Sequence, residues 1–356
     1  MNNNDIAQIV INWYKKENFA MPWRANSNPY KIWISEIMLQ QTQVNTVIPY
    51  YIKWLKKFPT INLLATAKID DVLKCWEGLG YYSRAHNLHN TAKVIIKKYN
   101  GRLPNNYSDL IKLKGIGDYT ASAILSIAFK MPQPVFDGNI RRVFSRLFIL
   151  KEDSKIIIKA KKEMLKYMQS CDPSDINQAM MDFGRLICSP KKPQCNICVL
   201  NQLCKAYIAN DVLSYPQTKQ KQTKPTYDVV VGFIIKDNKM LISKRKKNKQ
   251  LGGLWELPGG KKKKKERLLD CLKREILEEL DIQVDKSKKI GKIKHQYSHF
   301  NINLTGFQCH YHKGIPKPLS SDEIKWIKFN EIKDFAFPAS TLKLFTLYEA
   351  YNRHHT

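Results

Sequence analysis

The chain predicts two domains of different class, an all-α domain followed by an α+β domain, and three observations carry that reading. Apolar residues recur at helical spacing from Ile6, Ile9, Val10 and Trp13, behind a candidate Asp5 cap, through similar stripes as far as Tyr167. The stretch SYPQTKQKQTKP, Ser214 to Pro225, then combines prolines with Gln, Lys and Thr and carries no apolar period, as a linker does. Beyond it the pattern turns to strands at Val229–Ile235, Met240–Arg245 and Ile302–Phe307 around one strong helix, Glu266–Leu280. With 356 residues the chain can bury a separate core in each domain.

Composition names the kind of partner. Sixty Lys and Arg face 31 Asp and Glu, a formal net charge of +29, which draws a polyanion strongly and makes nucleic acid the natural ligand. The run Lys261–Lys265 is also readable as a solvated loop. No apolar stretch approaches the ~20 residues needed to cross a bilayer, and MNNNDIAQIVINWYKK has neither the basic start nor the apolar core of a signal peptide. A soluble protein of the reducing cytoplasm, nucleoid-associated in a bacterium, is the expectation.

Four cysteines, Cys188, Cys195, Cys198 and Cys204, are spaced C-x6-C-x2-C-x5-C, while Cys75, Cys171, Cys271 and Cys309 are scattered. Four thiolates suit either an iron–sulfur cluster or a structural zinc. Zinc usually takes two close pairs, so one close pair between longer spacers favours a [4Fe-4S] cluster. Its loop would place Lys191, Lys192 and Lys205 against phosphates.

Within the helical part, Leu113-Lys-Gly-Ile-Gly-Asp-Tyr-Thr-Ala121 sets a Gly115-x-Gly117 turn between Tyr107–Lys112 and an amphipathic helix ending near Phe129. Outward amides at such a turn and the following helix N-terminus suit a phosphate oxygen; an ordinary αα connection is the plain alternative. Upstream lies Trp33-Ile-Ser-Glu-Ile-Met-Leu-Gln-Gln-Thr-Gln-Val44 and downstream Val135-Phe-Asp-Gly-Asn-Ile-Arg-Arg-Val143. Together with the cysteines these motifs resemble the iron–sulfur branch of the helix–hairpin–helix DNA glycosylase superfamily, over nearly all of residues 5 to 210.

Two members of that branch differ at one position. The lysine through which endonuclease III forms an imine would stand where this chain has Tyr119, which cannot form one, and Lys114 is off the matching position. Glu36-Ile-Met-Leu-Gln-Gln-Thr-Gln and Gly78-Leu-Gly-Tyr-Tyr-Ser-Arg84 likewise resemble the adenine-specific, MutY-type family, with an endonuclease III-like glycosylase and lyase as the alternative. The resemblance implies a monofunctional base excision repair enzyme acting on adenine opposite 8-oxoguanine or guanine in duplex DNA, and a monomer. It also implies a six-helix barrel at about 20–134, a cluster module from 1–19 and 135–213, a linker at 214–226, and a Nudix-like lesion-recognition domain at 227–356.

Expelling adenine requires a proton on the purine and stabilisation of a cationic sugar. By resemblance Glu36 is the acid, protonated through burial, and Asp137 steadies the oxocarbenium ion electrostatically or traps it covalently. Tyr119 and Asn139 are carried over as neighbours that position Asp137 and the sugar, while Leu39, Gln41 and Tyr81 fall on wedge and gap-filling positions. Of the adjoining tyrosines, Tyr82 is expected in the core and Tyr81 on the surface. A non-enzymatic alternative makes the chain an iron–sulfur module that senses oxidation on DNA.

In the second domain, Gly260-x5-Glu266-x7-Arg274-Glu275-Ile276-x-Glu278-Glu279-x-Asp281-Ile282 follows the Nudix box except that Asp281 replaces its late glycine. Such glutamates bind divalent ions for attack on a diphosphate linkage, so added pyrophosphatase activity on oxidised nucleotides is one reading, and an acidic helix face paired with lysines is the other. Gln296-Tyr-Ser-His299 resembles the family's lesion-reading loop, which makes Ser298 the expected reader, flanked by Tyr297 and His299.

Overall fold

A computed structural model describes residues 4–17, 20–217 and 223–353, so part of the linker lies outside the described residues. By packing, these divide into two compact units: Met1–Thr66 with Asn87–Gln220, and Ala67–His86 with Lys221–Thr356. The second unit therefore takes in a short stretch that a single cut at the linker would assign to the first.

The helices, in chain order, are α1 (Asn4–Glu17), α2 (Pro29–Leu39), α3 (Val44–Lys57), α4 (Ile61–Thr66), α5 (Ile69–Trp76), α6 (Ser83–Tyr99), α7 (Tyr107–Leu110), α8 (Asp118–Phe129), α9 (Gly138–Phe148), α10 (Asp153–Tyr167), α11 (Pro173–Leu186), α12 (Lys205–Ile208), α13 (Leu268–Leu280) and α14 (Ala339–Arg353). Since α1 already includes Asn4, Asp5 sits within the helix rather than capping it.

In the first unit α2 and α8 form the centre. Tyr30 and the whole run Ile32–Met38 of α2 are buried, as is every residue of α8 from Thr120 to Ile127. The amphipathic helix expected after the glycine turn is instead apolar or small on all sides, which is what a helix enclosed by others requires. Local chemistry sets the boundaries: Asn28 caps α2 by accepting from the Lys31 amide at 3.2 Å, ahead of Pro29, and Asp172 caps α11 ahead of Pro173.

The second unit is a mixed sheet ordered β3-β2-β1-β6-β5, with β4 also on β1 and β7 also on β2. Its strands are β1 (Thr226–Lys236), β2 (Lys239–Arg245), β3 (Trp255–Glu256), β4 (Gly259–Lys261), β5 (Ile282–Gln296), β6 (Asn301–Gly314) and β7 (Ser321–Ile327). Only β1 and β6 run parallel. Alternation along β1 feeds two cores: Val231 and Phe233 pack with Leu344, Phe345 and Tyr348 of α14, and Val230 and Ile234 with Leu272, Ile276 and Leu280 of α13. A helix on each face explains why the strand reads as an unbroken apolar run. Strands β3, β4, β5 and β7 and helix α14 add to the elements expected from sequence, and α13 starts two residues later than the expected Glu266.

Candidate active site

A cavity of about 200 Å³ opens in the first unit, bordered by α2, α8, α9 and α11 and by the short turn Pro22–Arg24. Glu36 reaches it from the buried face of α2, only 4% exposed. Asp137 reaches it from the start of α9, and Tyr119 from the first turn of α8. The two carboxyls that sequence pairs thus share one cavity, large on the scale of a water molecule's ~30 Å³.

The neighbours set each carboxyl's state. The Tyr119 hydroxyl donates to Glu36 Oε2 at 2.6 Å. Burial nevertheless pushes Glu36 up to about 7, against the opposing pull of the Tyr119 bond and of Arg24. The Tyr119 phenol is itself pushed far up by burial and by Glu36, so it remains a donor. Asp137 caps α9, its Oδ1 accepting from the Asn139 amide at 3.0 Å and the Ile140 amide at 2.7 Å, while Oδ2 accepts from Asn139 Nδ2 at 2.8 Å. Burial raises its pKa, and those bonds oppose the rise. Asn139 is fixed in turn by Arg142, which donates to its Oδ1 at 2.8 Å and to the Gly184 carbonyl at 2.6 Å. The expected division of labour changes in one respect: Tyr119 holds Glu36, and Asn139 alone of the pair holds Asp137 by a hydrogen bond.

Leu39 also lines the cavity, whereas Gln41, just past the end of α2, is exposed with φ +57°. Gly115 has φ +87°, and a side chain there would collide with Asn87 at 2.8 Å; Gly117, at the N-cap of α8, borders open space. Among the described residues no lysine lines the cavity, and Lys114 is exposed.

Sequence reasoning missed the cavity's two cations, Arg24 and Arg185. Arg24 pairs with Asp182 of α11, which Arg185 also contacts at 3.1 Å. Arg24 and Asp182 are 158 positions apart, so no local pattern joins them. Gln178, Met181 and Trp23 complete that wall.

The four spaced cysteines converge on a second, much smaller cavity of about 20 Å³. Buried Arg146 borders it, donating to Cys188 Sγ at 3.3 Å and to the carbonyls of Ser189 at 2.8 Å and Tyr215 at 2.9 Å. Four thiols around one cavity are a donor set that fits an iron–sulfur cluster or a structural zinc. Lys191, Lys192 and Lys205 are exposed beside it.

In the second unit, Tyr82 is buried and Tyr81 is 40% exposed with φ +47°. Ser298 and His299 form the exposed tip of the β5–β6 hairpin, closed by the Tyr297 amide on the Phe300 carbonyl at 2.8 Å. Tyr297 is half-buried. In the Nudix box, Arg274 rather than any lysine takes up the acids: it bonds Glu266 at 2.7 Å, Glu275 at 2.8 Å and Glu278 at 3.0 Å. Glu279 turns inward to the Gly259 amide at 3.0 Å. Asp281 adopts the left-handed φ of +56° that the missing glycine would accept without strain.

Fold and site define the class: residues 34–170 match the HhH-GPD superfamily of base excision DNA repair proteins, and residues 230–347 match the NUDIX domain family. Among solved structures, a thermostable thymine-DNA glycosylase aligns with TM-score 0.53 and 26% identity over 58% of this chain and 97% of its own. A non-covalent endonuclease III–DNA complex aligns with TM-score 0.52 and 25% identity over 59% and 98%. The adenine DNA glycosylase of Buchnera aphidicola subsp. Baizongia pistaciae is 36% identical over 98% of both chains, and that of Homo sapiens 28% identical over 97% of this chain and 75% of its own. The chain belongs to the adenine DNA glycosylase family and is a base excision repair enzyme.

Proposed function

We propose that the enzyme removes adenine mispaired with 8-oxoguanine or guanine in duplex DNA, by hydrolysis alone and as a monomer. The observation that carries this reading is the sharing of one cavity by Glu36, pushed up to about 7 and held by Tyr119, and Asp137, held by Asn139 and two amides. Glu36 donates its proton to adenine N7, the C1′–N9 bond breaks with its electrons leaving on the base, and Asp137 faces the cationic sugar. Water then adds at C1′ and loses its proton to the Glu36 carboxylate. With Tyr119 at the position of the imine-forming lysine and no lysine among the described residues that line the cavity, no imine forms and the strand is left intact.

The extruded nucleotide leaves a gap in the stack, which Tyr81, Gln41 and Leu39 serve to open and fill. Gly115 and Gly117 suit a backbone phosphate, and Ser298, between Tyr297 and His299, reads the C8 carbonyl and N7 proton that distinguish the lesion. Cys188, Cys195, Cys198 and Cys204 would hold a [4Fe-4S] cluster, which when bound supplies a fixed loop geometry and no electron to a hydrolysis. The linker at 214–226 divides the chain along its sequence, with Ala67–His86 packing in the second unit, and the cellular setting is the bacterial cytoplasm, on nucleoid DNA.

Incubation with duplexes carrying 8-oxoguanine:A, G:A, C:G and T:G, each split between alkali and heat alone, tests the proposal. Cleavage at adenine only in the first two and only after alkali is expected. Strand breaks without alkali, or equal action on T:G, would overturn it.

A further inference from the structure

Within the second unit, the segment Ala67–His86 meets two places: Lys244 bonds Asp70 at 2.9 Å and the His86 ring meets the Gly252 carbonyl at 2.9 Å, while the irregular stretch 335–338 that leads into α14 carries a further set of ties. Phe337 is fully buried in the sheet core, its ring 4.9 Å from that of Phe345. Both of its main-chain polar groups meet side chains of the segment: Glu77 accepts from the Phe337 amide at 2.8 Å, and the Tyr82 hydroxyl donates to the Phe337 carbonyl at 3.3 Å. Lys74 adds a third tie, bonding Glu77 at 2.6 Å and the Phe335 carbonyl at 2.8 Å. Buried backbone groups left without partners are costly, so these contacts hold the Glu77–Tyr82 end of the segment against Phe337.

Each end of this latch leads to a residue assigned to DNA. Three positions after Phe337, the Ser340 hydroxyl lies 2.8 Å from the Tyr297 hydroxyl, immediately before Ser298. On the other side, Trp76 beside Glu77 donates to the Gly80 carbonyl at 2.9 Å. Arg84 sits between the rings of Trp76, at 5.1 Å, and Tyr81, at 5.3 Å, and donates to Gly80 at 3.2 Å. A tyrosine held at φ +47° persists only where its surroundings dictate it.

We propose that Glu77 and Tyr82 are positioning residues that lock the wedge Tyr81 to the lesion-reading loop through Phe337 and Ser340, so that one body both reads the lesion and opens the stack. The proposal rests on the reading of Tyr81 as wedge and Ser298 as reader. Neither Glu77 nor Tyr82 touches the reacting atoms; both act through Tyr81.

The test measures single-turnover adenine release from 8-oxoguanine:A and G:A by the full-length, cluster-loaded enzyme carrying Glu77→Ala or Tyr82→Phe, each made alone and together with Tyr81→Ala. Each single variant is expected to slow release from 8-oxoguanine:A by roughly tenfold and more than from G:A, the scale of a coupling through one or two hydrogen bonds. In the Tyr81→Ala background the same changes are expected to add nothing. A further loss of the same size there, or no loss in either single variant, would overturn the latch. Should Glu77→Ala fold poorly, Tyr82→Phe, which removes one hydroxyl, answers the same question. Wild-type rates from Tyr81→Ala alone would sink the wedge assignment instead, a separate and recognisable failure.

Discussion

Two groups of carboxylates, one in each unit, show how the same residue types come to opposite states. Glu36 and Asp137 are buried around a cavity, and burial pushes both upward. In the Nudix box Arg274 binds three glutamates together, and its hydrogen bonds hold Glu266 down at about 2. A buried acid without a bonded cation is poised to give up a proton near neutral pH; an acid fixed to a guanidinium stays ionised and is occupied. Glu279 is the instructive exception within the box, raised to about 7 because burial and nearby Glu256 outweigh its bonds to Gly259 and Ser320.

The contrast breaks most sharply at Glu36. Glu36→Gln keeps the volume and the bond with Tyr119 but has no proton to give. Adenine release should fall by roughly 10³-fold or more in single turnover, while gel-shift affinity for 8-oxoguanine:A stays near wild type. Normal turnover would return Glu36 to the role of a packing residue.

The second test is pH. Release by the wild type should decline by roughly tenfold per unit above about 7, as Glu36 loses the proton it must donate. Stability runs the same way: the folded pKa lies above the ordinary 4.5, so the folded state keeps a proton that the unfolded chain gives up. The contribution is full below about 4.5 and is lost as pH rises through about 7. Above that range Glu36→Gln should be the more stable protein, by about 3 kcal/mol in urea unfolding. Equal stabilities at pH 8 would mean that the carboxyl is better solvated than its burial indicates.

Much of this site could be read in the chain itself because its parts are local motifs. The cysteine spacing, Glu36 within its helix and Asp137 before a glycine each carry a recognisable signature. The Arg24–Asp182 pair does not: two ordinary charges meet only after α11 packs beside the Pro22–Arg24 turn. Strand β5 was hidden for another reason. It lies at the sheet edge and carries Lys288, Lys289, Lys292 and Lys294, a charge density that protects an edge from pairing but reads like a solvated loop. The grouping of Ala67–His86 with the second unit depends in part on side chains bonding to the backbone of residues 335–337, which no periodicity records.

Smaller effects sharpen the comparison. Ser298→Ala should reduce the preference for 8-oxoguanine:A over G:A by roughly tenfold, the scale of one hydrogen bond to a polar group, with release from G:A unchanged. Retained discrimination would assign the reading to another residue. The smallest effect belongs to the box: Arg274→Ala should leave adenine release within roughly twofold of wild type, as changes remote from the chemistry usually do. With Glu266, Glu275 and Glu278 already bonded to Arg274, the wild-type chain supplied with Mg2+ should release no pyrophosphate from 8-oxo-dGTP. Steady release would give the second unit an activity of its own.

Proton delivery to the purine is tested most directly by changing the atom that receives it. A duplex carrying 7-deazaadenine opposite 8-oxoguanine replaces N7 with a CH that has no lone pair for Glu36. The enzyme should bind this duplex about as well as the adenine duplex and release no base under conditions that clear the adenine substrate completely. Release at a comparable rate would contradict the account, because departure of the base would then need no acid at position 36.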